Sequence, residues 1–178
     1  MVSRGLQISM QGDALMLRWF KVLPHQMLGF WSLGLLLFIL QEIPYMMMPL
    51  IRLESNPIMS MPESSLVLER LEKLLGSLCI ALMIFLVHEN AAFFSVKPGA
   101  EQLFFWLAMG VLLLNFFGWA LYFTGHQSLF VMMAFLVAMP PLYYVFVGLW
   151  RSNEPLTVCG CVFLVVHFVH VWGNLRMV

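Results

Sequence analysis

The chain reads as an all-α, polytopic integral membrane protein, a compact bundle of five transmembrane helices with an N-terminal interfacial helix. Hydrophobic residues fill 62% of its 178 positions and charged residues 10%, against about 45–50% and about 25% in soluble domains. At roughly 20 residues per span, five apolar stretches fit between residues 27 and 176 with short connections. Pro, Gly and charged clusters divide these stretches, the punctuation expected at helix ends.

Residues 1–24 are expected to form an amphipathic interfacial segment. Asp13 can cap a short helix whose Leu15, Met16, Trp19, Phe20 and Leu23 recur at helical spacing, with Arg18 and Lys21 on the polar side and Pro24 turning the chain. The segment does not read as a cleavable signal, because no small-residue cleavage site follows the apolar run 27–40. Residues 25–178 form the transmembrane domain.

The first span covers about 27–50, and Pro44 and Pro49 should kink its second half. A polar connection follows. The second helix begins outside the hydrocarbon, where Glu69 and Lys73 can pair along its exposed side, and its membrane portion covers about 72–95. Along it, Ser77, Ala81, Ile84, His88, Ala92 and Ser95 are expected to form a small and polar stripe. Lys97-Pro98-Gly99 ends this helix. The third span covers about 102–123, and a turn at 124–127 leads to the fourth at about 128–150. There Pro140-Pro141 removes two amide donors and frees carbonyls in mid-span. The fifth covers about 156–175.

With no net charge, the chain shows no basic arm for nucleic acid. Its three cysteines lie in apolar stretches and form no disulfide framework. Cys159 and Cys161 should point to roughly opposite sides of one helix. Five cations fall on the N-terminal side of the bilayer and four on the other. Arg18 and Lys21, beside the first span, favour a multi-pass protein of the cell membrane with its N-terminus in the cytoplasm. Trp19, Trp31, Trp106, Trp150 and Trp172 fall towards the interfaces, whereas Trp119 and the Tyr143-Tyr144 pair lie deeper.

Function is signalled by polar residues where a membrane helix should avoid them. Gln41 and Glu42 lie in the first span, Asn115 in the third, and His167 and His170 in the fifth. At about 1.5 Å per residue, Glu42 lies roughly 22 Å, Asn115 roughly 20 Å and His170 roughly 21 Å from the starts of three parallel helices. They should therefore meet in one layer, with His167 a turn away. His88 and Glu89 fall near a membrane boundary.

Glu42, His170 and His167 are the candidate catalytic groups, and Gln41, Asn115, Tyr122, Trp119, Tyr143 and Asn174 the candidate substrate-binding ones. A carboxylate and two imidazoles can hold a metal, relay protons or act as acid and base on a lipid-like substrate. The histidines lack a metal-binding motif such as H-E-x-x-H, so neither metal nor other cofactor is expected. Two polar side chains can also serve as interhelical glue. The expected function is to bind or transform a small lipophilic substrate in an intramembrane cavity. The alternatives are a noncatalytic accessory or assembly subunit of a larger membrane complex and a proton-coupled transporter. Expected partners are membrane lipids, a lipophilic small molecule and another membrane protein, with no nucleic acid.

Overall fold

A computed structural model describes residues 16–62 and 65–176. Four of its helices are long and apolar enough to cross a membrane: Ser32–Leu50, Ala100–Phe123, Leu129–Trp150 and Glu154–Leu175. We label these α1, α3, α4 and α5. The remaining long helix, α2 at Leu66–Phe85, has the length but carries Glu69, Arg70, Glu72 and Lys73 in its first half.

The start of the chain departs from expectation. Asp13 and Leu15 lie outside the described residues, and Met16–Leu23 is a strand, β1, rather than an interfacial helix. It pairs antiparallel with β2, Gln26–Trp31, across a turn in which Pro24 is followed by His25 at φ 63°. β3, Leu86–His88, pairs with the other edge of β2. The β1–β2 register slips between Arg18 and Phe20 and again between Lys21 and Leu23. Residues three apart face opposite sides of a regular strand, but a bulge re-phases them. Arg18 and Lys21 consequently reach one turn, where Arg18 donates to the Ala91 carbonyl and Lys21 Nζ lies 3.0 Å from Glu89. The three-residue spacing that suggests a helix here arises from the bulge.

Two span boundaries move for the same reason. The first helix begins at Ser32 rather than near residue 27, because 27–31 belong to β2. The second helix ends at Phe85, so 86–95 supply β3 and a loop instead of a further helical stretch. The expected small and polar stripe stops at Ile84, and His88 lies in the sheet.

Side chains seal this end of the molecule. The carbonyls of Ala91, Ala92, Phe93 and Ser95 accept from Arg18, Arg151, Trp31 and Trp150 respectively. A loop packed in this way uses those partners, because carbonyls turned away from water without donors are costly. The Arg151 guanidinium also sits 4.4 Å over the Trp31 ring. Asn153 caps α5 by accepting from Leu156, while its Nδ2 donates to Leu82 and Leu86 at 3.0 and 2.9 Å. One side chain thus ties the start of α5 to the end of α2.

α4 packs against both α3 and α5, and α5 packs against α2. α1 touches α2 and α3 only lightly, which leaves space behind it. Within α4, residues Met132–Val137 form a π-helical segment just before Pro140-Pro141. In this register an amide bonds the carbonyl five residues back, as Ala138 N does to Met133 at 3.0 Å. In that register Phe135 and Leu136 would receive from residues 140 and 141, both of which are prolines without an N–H. Their carbonyls are left for other donors. Gly118 of α3 permits the close approach at this point, since a Cβ there would stand 2.2 Å from Phe135 Cβ.

Candidate functional site

The space behind α1 is a cavity of about 330 Å³ with walls from α1, α2, α3, α4 and α5. Ile58 and Met61 of the loop after α1 close one side. Most of its wall is apolar, with Trp119, Leu136, Val137, Phe163 and Val171 among the lining residues. Its polar groups come from Gln41, Glu42, Glu72, Asn115, Tyr144 and His167.

On α1, Gln41 is buried and Glu42 is partly buried. Tyr144 on α4 interacts with Gln41 and lies within electrostatic reach of Glu42. Glu42 itself makes no hydrogen bond or ion pair among the described residues. On α3, Asn115 donates from Nδ2 to the Phe135 carbonyl at 2.9 Å, one of the two oxygens released by the prolines. The oxygens Gln41 Oε1 and Asn115 Oδ1 accept from no described residue.

The histidines of α5 turn to Glu72 rather than Glu42. His170 Nδ1 meets Glu72 Oε2 in a short contact, and His167 Nδ1 lies 3.0 Å from Glu72 Oε1. The His167 contact is at ion-pair distance but lacks hydrogen-bond alignment. Asn174 Nδ2 lies 3.1 Å from His170 Nε2. An amide nitrogen only donates, so Nε2 is the acceptor and Nδ1 carries the proton directed at Glu72. The His167 ring also packs on Phe163, with centroids 5.1 Å apart.

The sequence candidates therefore divide. Gln41, Glu42, Asn115, Trp119 and His167 line the cavity. His170 and Asn174 stand behind the wall and bear on Glu72. Tyr122 is buried away from it, its hydroxyl donating to Asn56 Oδ1 at 2.7 Å and accepting from Ile58 N at 3.3 Å. Of the tyrosine pair, Tyr144 lines the cavity while Tyr143 is buried, its hydroxyl making no hydrogen bond among the described residues.

Glu72 is not among the sequence candidates, because it falls at the expected mouth of the second span. Its position seven and eleven residues before the buried Cys79 and Met83 places it on the inward stripe of α2. That spacing was the available signal. Cys79 Sγ approaches Cys159 Sγ to 3.3 Å between α2 and α5, whereas Cys161 is exposed.

Outside the spans, Glu89 lies 2.6 Å from His25 and 3.0 Å from Lys21. These partners, His25 first, hold its carboxyl down to about 2. Among the described residues, no group of three or more His, Cys, Asp or Glu side chains is placed to hold a metal ion. Comparisons of the chain with family models, curated proteins and solved structures give no match.

Proposed function

We propose that this is a multi-pass protein of the cell membrane that takes a small lipophilic molecule into a cavity inside a five-helix bundle. In this reading α2 is the fifth span, and the N-terminal side faces the cytoplasm. One observation carries the proposal: a single cavity of about 330 Å³ is walled by every long helix and gathers most of the intramembrane polar groups onto an otherwise apolar surface. Its size falls within the range of about 300–1,000 Å³ typical of small-molecule sites.

Proton transfer is the chemistry this set supports. His167 Nδ1 faces Glu72 at 3.0 Å, which leaves Nε2 to exchange a proton with a bound molecule. His170 and Asn174 position Glu72 from behind. Glu42 is the second acid on the wall. Ionisable groups within membrane spans mark functional sites by default, and two carboxylates with an imidazole exceed what packing alone requires.

The test compares the lipid profile of cells carrying Glu42→Gln or His167→Ala with that of cells carrying the parent chain, at matched amounts of protein in the membrane. Both variants are expected to shift the profile. An unchanged profile in both would overturn the proposal and favour an accessory subunit.

A further inference from the structure

We infer that the molecule taken into the cavity is a lipophilic amine bound as its ammonium form, a conclusion that rests on the cavity reading above and narrows it. The argument begins with unmet acceptors. Gln41 and Asn115 are only 4% and 2% exposed, both line the cavity, and neither side-chain oxygen receives a hydrogen bond from a described residue. For Asn115 the amide orientation follows from its Nδ2 bond to Phe135, so the oxygen is the atom left over. Buried acceptors are normally satisfied. A ligand that satisfies these must donate.

Charge points the same way. The described residues lining the cavity include two carboxylates and neither Lys nor Arg. Glu72 is engaged by His167 and His170, while Glu42 makes no hydrogen bond or ion pair among the described residues. A carboxyl group beside a low-dielectric cavity stays ionised only with a cation close by. Tyr45, Trp119 and Phe163 on the same wall bring aromatic rings of the kind that attract one.

Other head groups fit less well. A fatty acid, ketone or phosphate ester would set oxygen against oxygen at Gln41, Asn115 and Glu42. An alcohol has one donor and no charge to offer Glu42. A primary ammonium brings three N–H donors and a positive charge on one atom, while its hydrocarbon tail occupies the apolar wall.

The test uses the full chain in phosphatidylcholine nanodiscs, titrated at neutral pH with 4-phenylbutylamine, 4-phenylbutan-1-ol and butylbenzene, with empty nanodiscs as the blank. The amine is expected to bind at least about tenfold more tightly than the alcohol, a preference that falls below about threefold in Glu42→Gln. Equal binding of amine and alcohol, or a preference unchanged by Glu42→Gln, would overturn the amine assignment and leave the cavity reading standing. Failure of all three probes to bind would overturn both. The comparison of probes on the unaltered chain does not depend on whether the variant folds.

Discussion

Asn115 of α3 donates its side-chain amide to the Phe135 carbonyl of α4 at 2.9 Å. The carbonyl is available because its partner in the π-helical register would be Pro140. Asn115→Leu should therefore leave a buried carbonyl without a donor and lower stability by about 1 kcal/mol, the scale of interhelical hydrogen bonds in membrane proteins. In a Pro140→Ala background, which restores an N–H at position 140, the loss should shrink. Denaturant unfolding in detergent micelles measures both.

Gly118 lies against the same segment. A Cβ there would stand 2.2 Å from Phe135 Cβ and 2.9 Å from Leu136 Cδ1. Gly118→Ala should cost about 1–3 kcal/mol through overpacking. Gly110, with nothing within 4 Å of its added Cβ, is the control on the same helix, and its Ala variant should unfold no earlier than the parent.

Glu72 bridges α2 to α5 through both imidazoles. Groups in such a network do not contribute independently. A Glu72→Gln, His170→Ala double-mutant cycle should show a coupling energy of about 1–3 kcal/mol. A value near zero would mean that the pair contributes nothing to holding these helices together.

The hairpin carries a separate pH dependence. A carboxyl held below its ordinary value near 4.5 stabilises the fold above that value and loses its contribution as pH falls through its folded-state value, here about 2. Glu89→Gln should reduce hydrogen-exchange protection in β1 and β2 at neutral pH. The difference from the parent should narrow below about pH 4.5 and vanish near pH 2.

Much of this arrangement can be read from residue order. The apolar stretches, the end of α3 at Phe123 and the break at Pro140-Pro141 depend on local propensity. Asn115 and His167 stand out because polar groups are rare in such stretches. The hairpin is harder to read, since bulges give Arg18 and Lys21 a spacing that also suits a helix. The pairing of the histidines with Glu72 rather than Glu42 is harder still. Depth along a helix indicates which groups share a level, but only the packing of α2 against α5 decides which of two carboxylates they meet.

The central claim is that the cavity, rather than the outer surface, receives a lipophilic molecule. Photolabelling with an alkyl-diazirine alcohol, followed by mapping of the adducts, tests it directly. Adducts should concentrate on Glu42, Trp119 and Tyr144, and should fall in Ile80→Trp, which fills the cavity from α2. Labelling spread over outward-facing residues such as Leu113 and Val165, and unchanged by Ile80→Trp, would contradict the account.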